Sequence, residues 1–194
     1  MNVGTMTIKS RRSVRKYRPT TIPPHVIADV LDCGRLAPTA KNVQPWLFGA
    51  VTDPGLLREI ADLTDHGKFI ADAALCIAVF GRIGETYYLE DCCAATMSMI
   101  IALQNHGYGT CWVAGDKKPY AEPVRELLNV PPEFTLVSLI SVGAPAEVIS
   151  PPKKRLEECS FKDRYTDRMG EWRRDGSAWR PPDGSGGLTN SYIS

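Results

Sequence analysis

Residues 74–80, Ala-Leu-Cys-Ile-Ala-Val-Phe, set seven apolar side chains in an unbroken row. A strand with one wet face alternates apolar and polar residues, so a run like this predicts a strand covered on both faces. The chain must therefore supply packing layers on either side of a sheet. A second run narrows the choice. The longest predicted helix, from about Leu89 to His106, carries no charge between Cys92 and Leu103, so most of its circumference is expected to be buried.

The other elements follow from local signals. A helix is expected to open at Pro23 or Pro24, because proline suits a first turn, with Val26, Ile27, Val30, Leu31 and Gly34 at helical spacing. Residues 47–52 read as a short strand. Asp53-Pro54 then reads as an N-cap with a first-turn proline, and Leu56, Leu57, Ile60 and Ala61 form the apolar face of a second helix. Gly107 is placed to end the long helix. A strand near 109–114, a short helix near 123–129 and a strand over 134–142 complete the series, with Gly143-Ala-Pro145 expected to stop the last strand. Strands alternate with helices, which points to an α/β or α+β fold with a mostly buried sheet. No internal repeat is present. Residues 181–194, rich in Pro, Gly, Ser and Asn, are expected to be loose.

At 194 residues one domain is the default. The 23 basic and 22 acidic side chains give a net charge of +1, which demands neither nucleic acid nor membrane as a partner. Six cysteines without C-x-x-C pairing fit a reduced, cytoplasmic setting. Residues 1–12 lack the apolar core of a signal peptide, and no segment reads as membrane-spanning.

Three segments hold the residue types that carry chemistry. Residues 9–18 contain six basic side chains in ten positions, including Arg11, Arg12 and Arg15 around Ser13. Arginine forks match phosphate oxygens, but a solvated basic arm or a nucleic-acid contact has the same composition. Residues 37–46 (APTAKNVQPW) make a stiff loop with two amides, suited to a polar planar ligand or equally to a helix-to-strand connection. Residues 107–115 (GYGTCWVAG) carry three glycines, which would permit close approach to a flat ring or merely cap a helix before a buried strand. The helix-to-strand order there is the reverse of the dinucleotide fingerprint.

In this order the segments resemble the nitroreductase family. RRSVRKY resembles the family's N-terminal phosphate-binding motif, and APTAKNVQPWLF its A-P-S-x-x-N-x-Q-P-W signature. GYGTCWVAG, VRELLNVPP and LISVGAP are similar to the flavin-facing loop and closing strand of the shorter members, and PPKKRLEE to a basic segment that returns to the phosphate. The resemblance spans roughly residues 8–156. It implies a three-layer α/β (α+β) sandwich, its central sheet mostly antiparallel or mixed and flanked by helices, in an interlocked homodimer with one FMN in each interface cleft. Residues 1–160 would form the FMN-binding domain and 161–194 a C-terminal extension.

The site residues also come from the resemblance. Arg11, Arg12 and Ser13, with Lys153 and Arg155, would hold the phosphate and ribityl chain. Arg15, with Lys68, would lie at the flavin's pyrimidine edge. Pro38, Thr39 and Asn42 would reach across from the partner subunit, and Val113, Ala114 and Gly115 would line the ring with a backbone N–H facing N5. Thr39 stands where serine is commoner, and Ala114 where some relatives are acidic. The implied activity is a ping-pong transfer of two electrons from NAD(P)H through FMN to a small acceptor such as a nitroaromatic or quinone, with no catalytic side chain and no metal. Related chemistries (dehalogenation, azoline oxidation, flavin breakdown) and a non-catalytic flavin-binding role share the same pattern. A nucleic-acid binder would rest on the basic arm alone.

Overall fold

The computed structural model describes residues 2–147 and 150–165. The chain divides into two compact units, Gly4–Val148 and a smaller one of Met1–Val3 with Ile149–Ser194. The larger unit contains α1 (Val3–Ser10, from its second residue), β1 (Tyr17–Arg18), α2 (Pro24–Arg35), β2 (Trp46–Val51), α3 (Pro54–Leu63), β3 (Leu75–Arg82), α4 (Tyr88–Asn105), β4 (Gly109–Ala114), α5 (Ala121–Leu127) and β5 (Phe134–Pro145). In the smaller unit the described residues hold a single 3₁₀ turn, Leu156–Glu158. Most of the expected 161–194 extension lies outside the described residues.

All five strands pair antiparallel in one sheet. Its spine is β2–β3–β5. β4 pairs with the far edge of β5 along Ser138–Gly143, and β1 pairs with the end of β5 at Ala144 and Pro145. Leu75 to Gly81 are buried without exception, so the unbroken apolar run does mark a strand covered on both faces. Leu75, Ile77 and Val79 face α2 and α4, together with Ile140 and Val142 of β5. Cys76, Ala78 and Phe80 face the opposite layer, where Leu57, Ile60 and Ala61 of α3 meet Val124 of α5. The result is the three-layer sandwich.

Local signals act as their chemistry predicts. The Asp53 carboxylate caps α3 by accepting from the Leu56 N–H at 2.9 Å, and Gly107 leaves α4 at φ +82°. Two expectations need correction. The residues before the basic arm form a helix, α1, anchored by a 2.7 Å bond from the Thr7 hydroxyl to Asn105. β5 does not stop at Val142; Gly143, Ala144 and Pro145 continue it because β4 and then β1 supply pairing partners. His106 does more than end α4, since its Nε2 lies 2.7 Å from Asp29 of α2 and ties the two helices.

Close approach fixes the arm. The Val14 N–H donates to the Thr110 carbonyl at 2.8 Å, and Ser13 bridges Thr110 in parallel. The Tyr17 hydroxyl donates to the Val14 carbonyl at 2.7 Å and sits 2.6 Å from the Ser141 Oγ. Val14 itself lies flat on Gly109, where an added Cβ would come within 2.9 Å of the valine Cβ. Gly109→Ala is therefore expected to push the arm from β4 and to lower stability by about 1–3 kcal/mol, as overpacking does. Urea unfolding beside a Trp112→Phe control checks this; equal midpoints for the alanine variant and the parent would refute it.

Burial also sets an alkaline limit. Desolvation pushes the fully buried Cys76 thiol from 9.0 up to about 12. The folded state keeps the proton that the unfolded chain releases, so this contribution is whole below pH 9 and is lost as pH rises towards 12. The unfolding free energy is expected to fall above pH 9, with Cys76 supplying a slope of about 1.4 kcal/mol per pH unit. Urea titrations at pH 8 to 10.5 should show a shallower slope in Cys76→Ala than in the parent.

Candidate functional site

The site is assembled along β4. At its start the arm crosses, and Arg11, Ser13 and Arg15 all act on the buried Cys111 thiol. Burial raises that thiol's pKa, while Arg15, the Ser13 hydroxyl and Arg11 work against the rise. Three of the residues expected to hold phosphate or the pyrimidine edge thus bear electrostatically on one side chain. Arg12 differs: its Nη1 donates to the Lys9 and Arg11 carbonyls at 2.7 and 2.8 Å, closing the C-terminal end of α1.

Arg15 is exposed, and its guanidinium stands 5.9 Å from the centre of the Phe69 ring. Phe69 follows Lys68 in the 3₁₀ turn Lys68–Asp72, so the turn that carries Lys68 also meets Arg15. The Lys68 ammonium donates to the Asp62 carbonyl at 2.9 Å. Arg11 and Arg15 have no carboxylate within ion-pair distance among the described residues, which leaves two cations facing solvent-accessible space.

Beyond the arm, no strand among the described residues pairs with the outer edge of β4. The Thr110 carbonyl points at the arm, away from β5. Antiparallel alternation then turns the backbone groups of Trp112 and Ala114 the same way, and those of Cys111 and Val113 towards β5. Gly115 and Asp116 both donate their N–H groups to the Val137 carbonyl, at 2.9 and 3.2 Å. The Ala114 carbonyl is taken by the Tyr120 hydroxyl. Of the three residues expected to line a ring, Ala114 therefore offers the available N–H. Gly115 is turned to the core, where a Cβ would strike Leu136.

The 38–44 segment rests elsewhere, on the first turns of α4. The Thr39 hydroxyl donates to the Asp91 Oδ2 at 2.7 Å, and the Ala40 N–H lies 3.2 Å from both carboxylate oxygens. Pro38 and Asn42 are exposed, and Asn42 has φ +58°. Asp91 is 14 residues from Asn105, where α1 is anchored, or roughly 21 Å along the helix. Loop and arm thus sit at opposite ends of α4, and β4 runs between them. Tyr88 joins this end, donating to the Asp116 Oδ1 at 3.0 Å, whereas Tyr87 is half exposed. Lys153 and Arg155 belong to the smaller unit; both are exposed, and the Arg155 N–H donates to Glu158 at 2.7 Å.

Sequence reasoning gave no role to Asp91, Phe69 or Tyr120. Asp91 had a signal, as the last charge before an uncharged run of helix. Phe69 and Tyr120 had none, since each acts only through a contact made by the fold. Among the described residues no group of three or more His, Cys, Asp or Glu side chains is placed to hold a metal, and no helix is long and apolar enough to cross a membrane.

Comparison with known proteins identifies the family. The model of the family described as "Nitroreductase family" matches residues 8–67 and 64–144. A protein of Archaeoglobus fulgidus, provisionally named NADH dehydrogenase/NAD(P)H nitroreductase, is 30% identical over 146 residues, covering 72% of this chain and 84% of the relative. A Bacillus subtilis protein named FMN reductase (NADPH) is 25% identical over 178 residues, covering 80% of this chain and 71% of the relative. The crystal structure of a Bacteroides thetaiotaomicron protein, provisionally described in the same words as the Archaeoglobus one, superposes with a TM-score of 0.79 at 30% identity, over 85% of this chain and 99% of that one. The matched residues contain the arm, the 38–44 loop and β4 together, and the chain belongs to the nitroreductase family.

Proposed function

We propose that this protein is an FMN-dependent oxidoreductase that takes two electrons from NAD(P)H and passes them to a small acceptor, a nitroaromatic or a quinone, in a ping-pong cycle. The observation that carries the reading is the strip along β4, with unpaired Arg11 and Arg15 at one end and an edge N–H at Ala114 further along. A long ligand, anionic at one end and flat at the other, fits that order of groups. Resemblance to a relative named FMN reductase (NADPH) supports the same cofactor. The position of the 38–44 segment, at the far end of α4 from the anchor of α1, fits a loop that serves the flavin of a second copy, so the active form is a homodimer. Residues 1–160 act as the FMN-binding domain, with 161–194 as its extension, and the setting is cytoplasmic.

FMN, when bound, would supply the two-electron redox chemistry. The chain's own residues bind and orient. Arg11, with Ser13 and Arg12, holds the phosphate. Dianionic phosphate calls for several charge-assisted partners. Arg15, backed by Phe69 and beside Lys68, places positive charge where reduction adds electron density. Ala114 fixes ring orientation through its backbone, so the side chain at 114 is not needed for the bond. No side chain in the strip is poised as acid or base.

The visible spectrum of the purified protein, release of FMN on denaturation, and steady-state NAD(P)H oxidation with an added quinone test the reading together. A colourless protein that takes up no added FMN would end it, and a yellow one that oxidises no NAD(P)H would make it a flavin-binding protein only. Arg11→Ala is expected to weaken FMN binding about ten- to a hundredfold, for the loss of a hydrogen bond to a charged group. Fluorescence titration of the apoprotein measures this, and an unchanged Kd would remove Arg11 from the phosphate site. Arg15→Gln keeps the length and a donor but not the charge. It is expected to retain FMN while lowering the two-electron midpoint potential and slowing reduction by NAD(P)H. If Arg15 were only a solvated cation, potential and kinetics would match the parent.

A further inference from the structure

Asp91 is a carboxylate only 7% exposed, and no cation lies within ion-pair distance of it among the described residues. A buried charge without a counter-charge is costly unless fixed dipoles replace water. Here they come from two directions. Asp91 is the fourth residue of α4, where the N-terminal end of the helix favours negative charge, and it accepts from the Thr39 hydroxyl and the Ala40 N–H. Both donors belong to the loop that, on the reading above, serves a neighbouring copy's flavin.

The Thr39 hydroxyl is fully committed as a donor. Its one proton goes to Asp91 at 2.7 Å, and its oxygen accepts the Gln44 N–H at 2.9 Å. The chain between these ties is held in an unfavourable shape. Lys41, Asn42 and Gln44 all have left-handed φ values, of 51°, 58° and 54°, and none is glycine. Non-glycine residues leave that region unless their surroundings hold them. The ties bracket the strained residues, with Asp91 gripping 39–40 and Thr39 gripping 44.

We propose that Asp91 is a positioning residue for the cofactor loop, acting through Thr39 to hold residues 40–44 in the left-handed turn that presents Pro38 and Asn42. Thr39 then serves as the middle of a latch and not as a donor to the ligand. The inference rests on the FMN reading, which assigns the loop to a flavin, but the latch itself is a property of the chain without cofactor.

Four variants test it: Asp91→Asn, Thr39→Val, Thr39→Ser and the Asp91→Asn/Thr39→Val pair. Amide hydrogen exchange on the apoprotein reads the latch directly. The Gln44 amide is expected to exchange at least tenfold faster in Asp91→Asn and Thr39→Val, while Thr39→Ser and the amides of β3 stay as in the parent. Fluorescence titration reads the consequence: each of the two disruptive variants weakens FMN binding at least tenfold, the serine variant stays within twofold of the parent, and the pair is no worse than the worse single variant. Losses that multiply in the pair would mean that Thr39 touches the flavin independently, and would overturn the proposal. So would faster exchange at Gln44 with unchanged FMN affinity, which makes the latch merely structural. Failure of the FMN reading looks different, because the parent protein would then bind no flavin at all, whatever the exchange data show.

Discussion

β5 is bonded along both edges, and the rest of the molecule is arranged by that fact. One edge carries β3 from Phe134 to Val142 and the other carries β4 from Ser138 to Gly143, while β1 pairs with the end of the strand at Ala144 and Pro145. A strand flanked in this way has no edge for water, so its side chains sort into the two cores, and helices must cover both faces. The same arrangement makes β4 an outer strand with one edge turned away from the sheet. Over Thr110 that edge is used by the arm, and beyond it no strand among the described residues takes it up. The candidate site is the unpaired remainder of a strand whose other edge is fixed by β5.

Much of this was legible in the sequence because it depends on neighbours along the chain. The apolar run at 74–80, the Asp53-Pro54 cap and the uncharged length of α4 each name their element by local chemistry. β5 runs past its local signals because its last residues are strand only through β4 and β1, partners that nothing nearby in the sequence announces. α1 was missed for a similar reason: its eight residues have weak helical patterning and lean on Asn105.

The site divides along the same line. Arg11, Ser13 and Arg15 could be chosen by residue type, since charge is visible in a sequence. That Arg12 turns back to close α1, while Arg11 and Arg15 do not, depends on the geometry of the helix end. Choosing among 113, 114 and 115 needed the phase of the β4 ladder, and the part played by Asp91 needed the contact between the loop and α4. A carboxylate in the first turns of a helix ordinarily signals nothing beyond the helix dipole.

The β3–β5 register slips between Val79 and Phe80, so that Val137 is the extra residue of a β-bulge. On one side of it Leu139 faces the α3/α5 core and Ile140 the α2/α4 core; on the other, Leu136 faces α3/α5 and Val137 faces α2/α4. Odd and even positions exchange faces across the bulge. Val137 is thus a phase shifter that lets an apolar sequence out of step with strict alternation feed both layers. Its carbonyl, freed from ordinary pairing, takes the N–H groups of Gly115 and Asp116 and so ends β4. Deleting one residue at 137 would leave a continuous ladder, yet it would send residues 134–136 to the wrong layers. It would also remove the stop that leaves Ala114 as the last residue of β4, and stability and the proposed flavin geometry would fail together from a change that touches neither a charge nor a proposed ligand contact.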